Sequence, residues 1–316
     1  MLINCTLALS IFLLASRGFA VDELMERVME YRNCSGCNLM GYNFSGKDLS
    51  HVKLDGANLT GANFVGAFLD NTSLKGAKLS KTNFKKATLK GVDASGANFS
   101  EAMLARANIV DSKMPDIIAR KAIFFLTTLD NVNLSGADLT KANMKYARMR
   151  DVAIFETKFS STILSGVVAA NIAMDDTLFN NCDFIKADFR NANFESSQFV
   201  NSDLSKANFF KASLEEARFF KSNLSGANFA KSNMKRIKII SSNARRTDFS
   251  DSIFTGSYIK KSDFIGADFD RARFESFKII SSQLDVLQVE QAIFCDGILN
   301  GKNYSECEIN VRGKNK

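Results

Sequence analysis

The sequence predicts a solenoid of short extended segments joined by tight corners, and three observations carry that expectation. Every fifth residue from Leu39 to Phe294, without a slip of phase, is Ala, Val, Ile, Leu, Met or Phe. The residue two places before each of these is mostly small, as in Ala57, Ala62, Ala67 and Thr72, and later Ala187, Ala192, Ser197 and Ser202. Glycine recurs two places after the large residue, at Gly56, Gly61, Gly66, Gly76, Gly91, Gly96 and Gly136. Residues two apart on an extended chain face the same way, so the small and the large residue both point inward. The other three of each five must turn a corner, where glycine tolerates a positive φ. A period of five suits neither a helix nor a long strand.

The elements follow in chain order. Leu7 to Ala15 is a short apolar run broken by Ser10, then come Arg17 and Gly18-Phe19-Ala20, with small residues at the −3 and −1 places before Val21. Residues 1–20 read as a secretory signal peptide, although Met1 to Asn4 carries no Lys or Arg. Val21 to Asn33 places Leu24, Val28 and Tyr31 on one helical face, which makes residues 21–36 a capping helix with a Cys-x-x-Cys junction. Residues 37–284 form the repeat. Residues 285–316 form a C-terminal cap and tail, with Asp285 to Ala292 read as a short helix.

Within the repeat, Asn or Asp often precedes the large residue (Asn58, Asn63, Asn83, Asn98, Asp138), where a side-chain oxygen supports a turn by accepting from nearby backbone. Around Met114-Pro115-Asp116-Ile117-Ile118-Ala119 the small and large volumes are exchanged, which predicts a bulge. Ile172 and Ile237 overfill small slots, and Ala169 and Ala244 underfill large ones. From Phe179 to Phe274 the large slot favours Phe, which predicts a stack of rings on each side.

Stretches such as Gly56-Ala57-Asn58-Leu59-Thr60-Gly61-Ala62-Asn63-Phe64 and Ser135-Gly136-Ala137-Asp138-Leu139 resemble the pentapeptide-repeat family. The resemblance implies an all-β fold: a right-handed quadrilateral β-helix with one pentapeptide per side, twenty residues per coil and short helical caps. Some members of that family mimic duplex DNA and bind type II topoisomerases with rods acidic along their length. This chain has a net charge of +7, which disfavours that role here.

The chemistry is sparse. His51 is the sole histidine, so His-dyad zinc sites and Ser-His-Asp or Cys-His catalysis within one chain are excluded. Asp175-Asp176 and Glu215-Glu216 fall at outward corners, where charge is solvated, and no Gly-rich calcium loop accompanies them. No metal or cofactor is expected. Cys34, Cys37, Cys295 and Cys307 are disulfide candidates in an exported chain, and Cys182 falls in an inward slot as a free thiol. Use of Cys34 and Cys37 as a thiol-disulfide redox pair is the alternative reading.

Sorting the exposed charges by a twenty-residue coil gives four unequal sides. The first carries Lys78, Lys81, Arg120, Lys121, Lys141, Lys158, Arg218, Lys221, Lys238, Lys260, Lys261 and Lys278 against Glu101 and Asp138, a net +10. The other three come to +4, −3 and −4. The expectation is a non-enzymatic, exported scaffold or binding rod, periplasmic or extracellular, with a basic face for an anionic partner. That partner is a protein, a polyanion or an anionic surface, with no specific nucleic-acid contact and no transmembrane segment after cleavage.

Overall fold

A computed structural model describes residues 28–284 and 291–309. The signal segment 1–20, most of the predicted N-terminal helix and most of the helix expected over Asp285 to Ala292 lie outside the described residues. Residues 28–31 are helical, and Val28 packs into the core.

From Asn33 onward the chain winds as a parallel β-solenoid. Bridges join each coil to the next at a spacing of twenty, from Asn33↔Lys53 through Asn98↔Ile118 to Arg273↔Ile293. Five residues make one side. In Leu54-Asp55-Gly56-Ala57, the Leu54 amide donates to the next coil at Ser73 O (2.7 Å), and the Ala57 amide closes a turn onto Leu54 O (3.0 Å). Gly56, at the third place of that turn, has φ +64°, and its own amide donates to Lys75 O (2.7 Å). Every residue in that place from Gly36 to Ser281 has a positive φ, whether Gly, Asn, Asp, Lys or another residue. A type II corner demands this geometry, which is why glycine recurs there and why polar residues with local hydrogen bonds replace it.

The amide just after each large residue has no place in an isolated bridge, and the preceding Asn or Asp satisfies it. Asn63 Oδ1 accepts the Val65 amide (3.1 Å), Asn98 Oδ1 that of Ser100 (2.9 Å), and Asn133 Oδ1 that of Ser135 (2.9 Å). Short side chains fill most of the small slots, although Ile117, Ile172, Ile237 and Phe277 are also buried there, and the large residue fills the centre. From Leu49 to Ile279 both rows are buried, whereas Lys47 in the small row is exposed.

Two expectations need correction. No bulge occurs near Pro115: Asp93↔Lys113, Lys113↔Asn133, Asn98↔Ile118 and Ile118↔Asp138 keep the register, and Ile117 and Ala119 are both buried. Pro115 takes the first corner place, where its fixed φ fits and the missing N–H interrupts no bridge. Irregularity lies later. Among the described residues the twenty-step bridges skip at Ala153 to Ala173 and at Lys158 to Leu178, beside the misfit volumes of Ala169 and Ile172.

Rings stack on three sides rather than on each. Phe179, Phe199 and Phe219 form one stack (5.0 and 4.8 Å between centroids), and Phe189, Phe209, Phe229, Phe249 and Phe269 form a second at 4.8 to 5.4 Å. Phe254, Phe274 and Phe294 form the third (4.5 and 4.9 Å). The second side keeps Leu204, Leu224 and Ala244 between Phe184 and Phe264. An N-terminal stack joins Phe44, Phe64 and Phe84.

The C-terminal end turns back on itself. Ile293–Cys295 pairs in parallel with Arg273–Glu275 and antiparallel with Glu308–Ile309, and Gly297–Leu299 pairs in parallel with Lys278–Ile280 and antiparallel with Lys302–Tyr304. The antiparallel strands cover parallel edges that another chain would otherwise extend.

Candidate functional site

The twenty-residue register places the predicted basic residues on one side of the solenoid. All are exposed except Lys260, which is half-buried. Its C-terminal part belongs to the largest sheet among the described residues. Strands β1 (Leu178–Asn180), β2 (Gln198–Val200), β3 (Arg218–Phe220), β4 (Lys238–Ile240), β5 (Tyr258–Lys260) and β6 (Lys278–Ile280) stack in parallel. Arg218 is directly across from Lys238, and Tyr258 across from Lys278.

These coils differ locally from the rest. The place that often holds Asn or Asp elsewhere holds Gln198, Arg218, Lys238, Tyr258 and Lys278 here, and among the described residues no turn hydrogen bond closes the corners after Phe179, Phe199, Phe219, Ile239 and Ile259. The residue after the large one joins the ladder instead, as Asn180↔Val200, Val200↔Phe220 and Ile240↔Lys260 show. With the corner opened, the buried amide of the small slot needs another acceptor, and serine hydroxyls supply it. The amides of Cys182, Ser202, Ser222, Ser242 and Ser262 donate to the hydroxyls of Ser202, Ser222, Ser242, Ser262 and Ser282 one coil on, at 3.1 to 3.2 Å. Those hydroxyls donate back to carbonyls such as Phe179 O (3.2 Å) and Phe199 O (3.0 Å). Sequence reasoning saw these serines only as small residues; their recurrence at exact steps of twenty was the signal that could have marked them.

The two ends of the basic side differ in charge pairing. Arg120 Nε lies 2.6 Å from Asp138, and Lys121 Nζ lies 3.8 Å from Glu101, so two predicted cations are neutralised within their own side. Burial is the largest single influence on the Asp138 carboxyl and raises its pKa, but Thr140 and Arg120 together outweigh it and hold the group below its ordinary value. Between Leu178 and Ile280 the outward places of this side hold no carboxylate. Arg218, Lys221, Lys238, Lys260, Lys261 and Lys278 take part in none of the ion pairs found among the described residues, and Lys221 lies over the Phe220 ring at 5.1 Å. Sequence sorting missed the apolar row between them, in which Phe220 is exposed and Val200, Ile240 and Ile280 are half-buried.

Among the described residues of the repeat, the other sides pair most of their arginines, Arg106 and Arg246 excepted. Arg148 and Arg150 both reach Asp130, Arg245 reaches Asp263 (2.5 Å), and Arg271 reaches Asp251 (2.7 Å). Arg236 bridges the adjacent carboxylates Glu215 (2.5 Å) and Glu216 (2.8 Å), which gives that pair an ion-pairing role. Among the described residues no cluster of His, Cys, Asp or Glu has metal-binding geometry, and no helix is long and apolar enough to cross a membrane.

Disulfides join Cys34 to Cys37 and Cys295 to Cys307. Cys34 and Cys37 are the inward pair of the first corner, Cys37 closes its turn onto Cys34 O (3.1 Å), and Cys34 is buried. Cys295–Cys307 fastens the antiparallel cap. Cys182 is a buried free thiol at the head of the serine ladder, and burial pushes its pKa up to about 11.

The model of the pentapeptide repeats (8 copies) matches residues 33–69, 53–91, 82–116, 127–153 and 232–271, and that of a pentapeptide repeat region matches residues 172–249. Residues 154–171, where the bridges skip, fall in neither. No curated protein matches the chain. Among solved structures, HetL from the cyanobacterium Nostoc sp. strain PCC 7120, a protein involved in heterocyst differentiation regulation, is 20% identical over 89% of this chain and 98% of its own, with a TM-score of 0.42. QnrB1, a plasmid-mediated fluoroquinolone resistance protein, is 17% identical over 66% of this chain and 92% of its own (TM-score 0.32). Rfr23 from the cyanobacterium Cyanothece 51142 is 24% identical over 43% of this chain and 99% of its own (TM-score 0.20). With the repeat, the corner geometry and the matched residues in agreement, this chain belongs to the pentapeptide repeat family.

Proposed function

We propose that the chain is a non-enzymatic, exported binding rod that engages an anionic partner through the C-terminal sheet of its basic side. The observation that carries this is the set of cations from Arg218 to Lys278, which stand together on a sheet face without a carboxylate and take no part in the ion pairs found, whereas most arginines on the other sides are paired. An even row of unneutralised charge on a rigid surface attracts a polyanion and costs little reorganisation on binding. The filled interior leaves chemistry no enclosed cleft along the sheet, and the burial of Cys34 argues against a thiol-disulfide role, which needs an accessible thiolate. The basic side likewise argues against DNA mimicry.

The test is binding of a soluble polyanion, heparin, to the protein and to the variant Arg218→Glu/Lys238→Glu/Lys260→Glu/Lys278→Glu, at low and high salt. The expected result is binding that weakens as salt rises and is lost in the variant while its circular dichroism is unchanged. Equal binding by the two proteins overturns the assignment of this surface.

A further inference from the structure

Among the described corners, the left-handed place is held by Gly or a polar residue at every position except two. Those two are Leu126 (φ +56°) and Tyr146 (φ +59°), which stand one above the other on adjacent coils. A bulky apolar residue is strained in this region and forgoes the local hydrogen bonds that make Asn or Asp tolerable there. Neither gains burial in return: Leu126 is 40% exposed and Tyr146 is 49% exposed. The Tyr146 ring lies over Gly166, where a Cβ would come within 2.4 Å of it, and packs edge-on against Phe125 at 6.0 Å.

These residues continue a larger apolar surface on the second side. Met103 and Ile123 are bridge partners on adjacent coils, Ile163 lies two coils further in the same column, and all three are exposed. The rim is cationic. Lys121 and Lys141 line the corner before this side, Lys85, Lys86 and Arg106 occupy the corners preceding Leu126, and Lys145 Nζ stands 5.2 Å over the Tyr146 ring. The outward places of this surface, from Lys81 to Gly166, hold one carboxylate, Glu101, and Lys121 pairs with it.

We infer that this surface of the second side docks on an anionic lipid bilayer. Composition decides the occupant: protein interfaces are depleted in lysine and favour arginine, whereas aliphatic and aromatic side chains between lysines suit an anionic headgroup layer. Register at steps of twenty holds Met103, Ile123 and Ile163 in one column, with Asn143 between the last two, and Leu126 and Tyr146 in a neighbouring one, so several reach the interface together. This surface is distinct from the C-terminal sheet of the first side, and the two assignments stand or fall separately.

The experiment is co-sedimentation of the chain with vesicles of equimolar phosphatidylcholine and phosphatidylglycerol, and with phosphatidylcholine alone. The variant Leu126→Asn/Tyr146→Asn places at both corners a residue that tolerates their φ, so its thermal stability should equal or exceed that of the parent. The expected result is association with the anionic vesicles only, reduced about tenfold or more in this variant. The first-side variant with four reversed charges should still associate, and the Asn variant should still bind heparin. Because the chain has no tryptophan, Ile123→Trp gives a second readout: its emission should shift to the blue on anionic vesicles. Lack of vesicle association, undiminished association of the Asn variant or an unshifted Ile123→Trp emission overturns the inference. Capture of a soluble protein through Leu126 and Tyr146 without vesicle binding also overturns it, and reassigns the surface to a protein partner.

Discussion

The first side of the solenoid is built in two ways along its length. In its earlier coils the corners are closed turns: the amides of Ala102, Ala122 and Ala142 donate to Phe99, Ala119 and Leu139 O at 2.9 to 3.1 Å. In its later coils the corners are opened into three-residue strands, and Ser202, Ser222, Ser242, Ser262 and Ser282 provide the hydrogen bonds that the turns gave up. The same five-residue period therefore supports two corner chemistries. The outward residue before the large one does not decide this alone, since Lys53, Lys78 and Ile118 precede closed turns while Gln198, Arg218, Lys238 and Tyr258 precede opened ones. Where the corner opens, the serine spine supplies the acceptor that the small-slot amide loses. Cys182 marks the changeover, directly after the two skipped bridges.

The largest expected effect would break the comparison at this joint. Phe209→Ala removes one ring from the middle of a five-ring stack and should cost about 3–5 kcal/mol by denaturant unfolding. Because coils contact only their neighbours, the loss of amide protection should concentrate after residue 178. Equal loss in the earlier coils would mean that the skipped bridges do not separate two cooperative units.

A smaller effect sharpens the serine argument. Ser222→Ala leaves the buried Ser202 amide without an acceptor, and should destabilise by about 1–3 kcal/mol. Ser232 occupies the same inward slot on another side, its amide closes an ordinary turn onto Phe229 O, and its buried hydroxyl has no partner. Ser232→Ala should be neutral or slightly stabilising. If the two variants lose stability equally, the ladder contributes nothing beyond filling space.

The smallest effect concerns acid. Burial raises the Asp138 pKa, but Thr140 and Arg120 outweigh it and hold the carboxyl below its ordinary 3.8. A depressed folded pKa contributes stability that is present above the unfolded value and lost as the pH falls through the folded one. Asp138→Asn should therefore flatten the decline in stability below pH about 3.8, because the variant lacks at neutral pH the contribution, less than about 1 kcal/mol, that the parent loses in acid. Thermal melts of both proteins from neutral to acidic pH would check this; an unchanged acid limb would remove Asp138 from the account.

Much of this was legible in the residues themselves. The phase from Leu39 to Phe294 assigned inward and outward places, Gly56 and its equivalents located the corners, and the steps of twenty put Arg218 and Lys238 on one side. The volume swap at Ile117 and Ala119 misled, because a volume pattern carries no information about backbone pairing, and Pro115 suits a corner. The serine spine was hidden because Ser and Ala are equivalent as small residues. The basic side was legible as a list of charges, but not which of them were already neutralised.

By itself the sequence determined the period, the two inward rows, the positive-φ places and the side on which each charge stands. Each of these is a steric property of a few consecutive residues, repeated. The tertiary structure alone decided where corners open, that Lys121 is paired while no ion pair holds Lys221, and that Leu126 and Tyr146 complete an exposed apolar surface. These depend on hydrogen bonds, ion pairs and packing between residues about twenty apart, which exist only once one coil lies on the next.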